Sequence, residues 1–217
     1  MTTSMVTADD YAVLRASCSK RILSFDVGSR HLAFAAVLLL QNGEYLIEEW
    51  KVIDLIAGVN LPDGSPLPGL QPSLGGEYEI FHREWDEVLI ENQAASRRVH
   101  QQMEAVIYAY FQVNSDALCR IVDAREKFAS FAVAIPRTNK REGRTASQAY
   151  HARKILSVEC ARSFLASVVH DGDAWAQHMD QFRVSEKDDL ADSLLQVTIG
   201  PCKAKKERLA GRRKGRR

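Results

Sequence analysis

Between Arg21 and Ile53 three strand patterns follow one another almost without a break: RILSFDVG, HLAFAAVLLL and EYLIEEWKVI. The last two are parted by the turn signal Gln41-Asn42-Gly43, so this stretch reads as an antiparallel meander. A short apolar strand follows at Glu87 to Glu91, and Leu118 to Val122 is the next. Over residues 94 to 113, Ala95, Val99, Met103, Val106, Ile107 and Tyr110 recur at helical spacing, which predicts an amphipathic helix packed on the sheet. A second helix is expected from about Ser147 to Val169, with Ile155, Val158, Phe164 and Leu165 turned inward. A third is expected from Ser185, read as its N-cap with Asp188 in the capping-box position, to about Ile199, where Gly200-Pro201 stops it. Strands first, then strands alternating with helices, predict an α/β domain with a mixed sheet.

Four carboxylates interrupt these apolar patterns. Alternation along RILSFDVG puts Ile22, Ser24 and Asp26 on one face and Leu23, Phe25 and Val27 on the other, so Asp26 ends a mostly buried strand. Glu91 ends the apolar run of EVLIE in the same way. On the last helix Asp189 and Asp192 stand three residues apart and share a face, with Asp188 one turn from Asp192. Clustered carboxylates repel unless a cation is shared. Hard oxygen donors suit Mg²⁺, and a pair of such ions serves phosphodiester hydrolysis. Singly, each carboxylate also reads as a turn, cap or dipole-compensating residue; together, in this order, they point to a nuclease.

FDVGSRHLAFA, LIENQ and KDDLADSLLQ together resemble the RuvC-type branch of the ribonuclease H-like nucleases, and within it the Holliday junction resolvases of poxviruses, other large DNA viruses and fungal mitochondria. The resemblance spans about residues 21 to 199. It implies a three-layer fold with a five-stranded mixed sheet flanked by helices, a homodimer, and paired nicks across a four-way DNA junction. It also implies dependence on Mg²⁺ or Mn²⁺, with two ions per active site. The family's metal ligands fall on Asp26, Glu91, Asp189 and Asp192, and Asp188 takes a supporting role. The family's helix lysine matches Lys154, with Arg153 the competing position; its charge would stabilise the transition state. Gln93, beside Glu91, reads either as a phosphate or water donor or as a polar residue leading into the helix. Arg97 and Arg98 open a helix where positive charge does not suit the dipole, which reads either as a phosphate partner or as a solvated pair. Arg137, Lys140, Arg141, Arg144 and Arg153 form a second basic stretch expected to contact DNA.

Two segments depart from the family pattern. Residues 54 to 77 hold four of the six prolines and five glycines, and read as a loop insertion without regular structure. From Lys203 to Arg217 nine Lys or Arg face one acid, Glu207, whereas the other 202 residues carry a net charge of −7. This tail is expected to be disordered and attracted to polyanions, as a DNA-binding arm or as a solubility or import tail. The organisation expected is an extension over 1–20, the nuclease domain over 21–200 and the basic tail over 201–217. The longest apolar run, Leu32 to Leu40, is far short of the roughly 20 residues that span a bilayer, so no membrane role is expected. No small-molecule cofactor is expected. The four cysteines form no CxxC pair and are expected to be reduced. The expected setting is an intracellular site of viral DNA replication, nucleus or cytoplasmic factory, with the mitochondrion as the alternative. A nuclease of the same fold acting on flaps or RNA:DNA hybrids, an actin-like ATPase and a catalytically silent DNA-binding scaffold are the competing readings.

Overall fold

Alternation along β1 (Cys18–Val27) divides the domain into two cores. Its odd-numbered side chains Leu23, Phe25 and Val27 join one buried cluster, and Ile22 joins the other. The computed structural model describes residues 8–28, 30–55, 79–94, 96–131, 133 and 145–199. Almost all of the Pro/Gly-rich segment, the basic tail, and Arg137, Lys140, Arg141 and Arg144 lie outside the described residues.

β1 pairs antiparallel with β2 (His31–Leu40), which pairs antiparallel with β3 (Tyr45–Asp54). On its other side β1 pairs in parallel with β4 (Glu87–Glu91), and β4 with β5 (Leu118–Val122), giving the order β3-β2-β1-β4-β5. This is the five-stranded mixed sheet expected. Gly43 adopts φ 87°, the left-handed backbone that the Gln41-Asn42-Gly43 signal requires. Helix α1 (Ala8–Ala16) precedes β1.

One face of the sheet is covered by α2 (Arg98–Asn114), which buries His100, Met103, Ile107 and Phe111 at helical spacing. Phe25 meets Phe81 and Phe111 there, with ring centroids 5.4 and 5.7 Å apart. The opposite face carries α3 (Ala146–Val168), α4 (Gly172–Asp180) and α5 (Val184–Gln196). Leu190, Ala191, Leu194 and Leu195 of α5 are fully buried. Two hydrogen bonds fix its position: Trp50 Nε1 donates to Leu190 O at 2.9 Å, and Ser24 Oγ to Ser193 O at 2.5 Å. No helix among the described residues is long and apolar enough to cross a membrane.

Several local expectations need correction. The last helix starts at Val184 with Arg183 as N-cap, because Glu186 rather than Asp188 reaches back: its Oε2 accepts from the Arg183 N–H at 3.1 Å. In α3 the cap is Thr145, whose Oγ1 accepts from the Gln148 N–H while Gln148 Oε1 accepts from the Thr145 N–H. Helix α4 was hidden by its length; a Cβ at Gly172 would fall 1.9 Å from Leu165 O, so only glycine lets α4 begin against α3. Ile155 is 61% exposed, and Val99 and Val106 are exposed as well, although their spacing predicts burial.

The end of the sheet away from Asp26 is tied by a buried charge. Glu87, 1% exposed at the start of β4, is held by Lys20 of β1 and, at 2.5 Å, by Nη1 of Arg120 on β5. Glu87→Ala leaves two cations facing each other across three strands and is expected to cost about 3–5 kcal/mol, measured by urea denaturation of wild type and variant.

Candidate active site

Parallel strands bring their carboxyl ends to one edge, the place where open α/β sheets bind ligands. β1 and β4 run parallel with Phe25 opposite Ile90, so the next residues, Asp26 and Glu91, stand side by side at that edge. Gly28 lets the chain turn immediately beyond: a Cβ there would lie 2.6 Å from His31 O, whose oxygen accepts the Gly28 N–H at 2.9 Å. α5, seated on β1 to β3 through Ser24 and Trp50, presents Asp188, Asp189 and Asp192 to the same place. A cleft of about 410 Å³ is lined by Asp26, Glu91, Asp189 and Asp192 together. Residues distant in sequence thus meet in one anionic pocket.

At its centre stands a residue that sequence reasoning missed. Lys127 is 3% exposed, in the 3₁₀ turn Glu126–Phe131 that follows β5. Its Nζ lies 2.6 Å from Asp192 Oδ2 and 3.2 Å from Glu91 Oε2. Burial alone would push its pKa down, but Asp192, Glu91 and Asp26 overcome this and raise it, so the ammonium stays charged. The only signal in the sequence was position: a lysine a few residues past the end of a strand that turns out to be parallel to β1 and β4.

One lysine does not balance four carboxylates. Burial, and then the charges of Glu91 and Asp192, push Asp26 well above the ordinary carboxylate range. Glu91 is raised by burial, against the pull of Lys127. Asp189 is pushed up to about 7 by burial and by neighbouring Asp188. Asp192 Oδ1 is buried with no hydrogen-bond partner. Among the described residues no three His, Cys, Asp or Glu side chains are drawn up as ligands of a single ion. The chemistry of the donor set nevertheless fits a hard divalent cation: oxygen ligands only, excess negative charge, and one buried oxygen with nothing to accept.

The other candidates divide between the cleft and its lip. Lys154 forms an ion pair with Asp188 rather than with the four carboxylates, and its ammonium stands 5.1 Å from the Tyr150 ring centroid. Arg153 and Arg97 also line the cleft, joined by Arg125, which pairs with Asp123 at 2.6 Å. Arg98 is exposed at the first turn of α2. Gln93 is occupied locally: its N–H donates to Glu104 Oε2 at 2.7 Å and its Nε2 to Glu91 O at 3.1 Å. It braces the Glu91 backbone.

A parallel pair grafted onto an antiparallel meander, with helices on both faces, is a ribonuclease H-like fold. Fowlpox virus resolvase, solved with its substrate Holliday junction DNA, is 15% identical with a TM-score of 0.51, over 80% of this chain and 91% of that one. The yeast mitochondrial Holliday junction resolvase Ydc2 is 14% identical with a TM-score of 0.52, over 87% and 83% of the two chains. Thermus thermophilus RuvC is 13% identical with a TM-score of 0.50, over 81% and 91%. At such identities the likeness establishes the fold. No family model and no curated protein matches the sequence.

Two outcomes follow from the electrostatics. The folded protein holds the Asp189 proton more tightly than the unfolded chain does, so folding takes up a proton between the ordinary value of 3.8 and about 7. Without divalent ions, stability is therefore expected to fall as pH rises through that window. Asp189→Asn should flatten the fall and raise stability at pH 7.5 by roughly 1–4 kcal/mol, read from denaturation curves at pH 5 and 7.5. Lys127→Ala strands Glu91 and Asp192 without their counter-ion and is expected to cost about 3–5 kcal/mol. Adding Glu91→Gln to that variant should recover part of the loss in the same measurement.

Proposed function

We propose that the protein is a Holliday junction resolvase, a structure-selective endonuclease that cuts four-way DNA junctions by paired nicks with Mg²⁺ or Mn²⁺, two ions per active site. The observation that carries this reading is the convergence of Asp26, Glu91, Asp189 and Asp192 from three elements on one cleft at the carboxyl edge of a resolvase-like sheet. These four carboxylates would hold the ions, which when bound supply water activation and stabilisation of the leaving oxygen. The protein's own part is positioning. Lys127 pairs with Glu91 and Asp192 and holds both in place. Arg97, Arg153 and Lys154 line the same cleft and are suited to receive the phosphates on either side of the bond to be cut. Asp188 pairs with Lys154 and sets its direction.

Paired nicks need two active sites related by symmetry. A homodimer is supported by α2, where Val99, Val106 and Val113 repeat every seven residues and are 38, 42 and 82% exposed. Leu118 and Ile121 on the neighbouring edge strand β5 are also exposed, at 62 and 47%. The same acids on a stable monomer would suit flaps or RNA:DNA hybrids instead, and light scattering separates the two.

The deciding measurement is a metal-dependent cleavage assay on four-way junction, flap, RNA:DNA hybrid and linear duplex. The four-way junction is expected to be cut best, in symmetric pairs of nicks. Asp26→Asn, Glu91→Gln and Asp189→Asn should each abolish cutting while junction binding is kept or strengthened, since each removes repulsion of the phosphates. Full activity of Asp26→Asn would defeat the mechanism. Deleting 203–217 should weaken binding and flatten its salt dependence.

A further inference from the structure

Beside the acidic cleft, between α3 and the start of α5, lies a second concavity of about 780 Å³ that the chemistry above does not use. Its floor is apolar: Tyr150, Ile155 and Val158 of α3 and Val184 of α5. Three of these are turned outward, with Val184 85%, Ile155 61% and Tyr150 44% exposed. The rim carries His151, Lys154 and Lys187, and Tyr150 and Lys154 belong to both the bay and the cleft.

Resting on the resolvase reading, we propose that this bay receives an unstacked nucleobase from the DNA strand whose phosphate lies over the carboxylates. An exposed aromatic ring beside an apolar floor, next to a groove lined by arginines, is how proteins hold single-stranded nucleic acid: the base stacks and the backbone follows the charge. Continuity with the cleft fixes the occupant. A protein partner seated in the bay would cover Tyr150 and Lys154 and obstruct the cleft they share, whereas a base attached to the strand being cut enters with it. Glu159 and Asp188 also line the bay; Lys154 pairs with Asp188, and Lys187 with Asp180 at 2.9 Å, so the rim is of mixed charge, and it is the ring and the continuity with the cleft that favour a base. A base at the exchange point of a junction is a suitable guest, since bases are extruded most cheaply where regular stacking is already broken.

The test measures binding of the full-length protein, in EDTA to prevent cutting, to a four-way junction, to the same junction with abasic sites beside the crossover, and to linear duplex. Tyr150→Ala and the uncharged Val184→Ser are expected to weaken junction binding roughly 5- to 150-fold and to leave duplex binding unchanged. Tyr150→Phe and Tyr150→Trp should bind as wild type does. Wild type should lose a similar factor on the abasic junction, where Tyr150→Ala should bring no further loss. Val184 is so exposed that its variant keeps the proposal testable if Tyr150→Ala misfolds. The proposal is overturned by unchanged junction affinity, by equal losses on duplex, or by a Tyr150→Phe defect as large as that of alanine. It is also overturned if Val184→Ser converts a dimer to a monomer by light scattering, which would assign the bay to a second copy. Should wild type show no preference for junctions over duplex, the resolvase reading itself fails; if only the bay variants behave as wild type, that reading stands and the base site alone is lost.

Discussion

A carboxylate drawn out of water loses several kcal/mol of solvation, and several drawn together also repel one another. The fold holds this arrangement by placing the buried ammonium of Lys127 between Glu91 and Asp192, joining the end of β4, the turn after β5 and the inner side of α5. The neighbouring residue does the complementary work: Phe128 is buried in the core beneath α5 and anchors the turn from which Lys127 projects. One polar and one apolar side chain, adjacent in sequence, thus set where α5 and the sheet edge meet. The compensation is partial, as the raised proton affinities of Asp26, Glu91 and Asp189 record. The pocket is stable enough to fold and still short of positive charge.

The mixed topology is what delivers the acids to one place. An antiparallel meander alone would send Asp26 to one end of the sheet and its neighbours' termini to the other. Reversal of direction between the β1–β2 and β1–β4 pairs brings the ends of β1, β4 and β5 to a common edge. α5 then crosses the meander side of the same sheet, fixed by Ser24 two residues before Asp26 and by Trp50 on β3. Fold and site share these contacts, since Ser24 binds the carbonyl of Ser193, the residue after Asp192.

This division explains what was legible beforehand. Asp26 and Glu91 stood out because each ends an apolar run, and Asp189 and Asp192 because they share a face beside Leu190, Leu194 and Leu195. A charge that breaks a pattern is visible. Lys127 breaks none: AREKFASF has the composition of a solvated loop, and its burial depends on the parallel pairing of β4 with β5, a property no local window contains. The misplacement of Ile155, Val99 and Val106 has another cause. Helical spacing says that a residue is apolar and shares a stripe, not which stripe the sheet covers. α2 carries two stripes, and only the one with Met103, Ile107 and Phe111 meets the sheet. The other is left to solvent.

Two lysines stand near five acids, and their pairing separates two tasks. Lys154 is committed to Asp188, and this pair sits at the lip beside Tyr150. Asp188 therefore adds little net charge to the pocket although it adjoins Asp189 in sequence. Lys127 is committed to the interior, where Asp26, Glu91, Asp189 and Asp192 outnumber it. The cleft wall carries Arg97 and Arg153 with the Lys154–Asp188 pair beside them, and the other carboxyl groups lie behind. Positive side chains are thus gathered at the rim and carboxyl groups in excess at the centre. Under the proposed function, binding and cutting are on that account separable: the residues suited to attract the backbone are not those that would hold the ions.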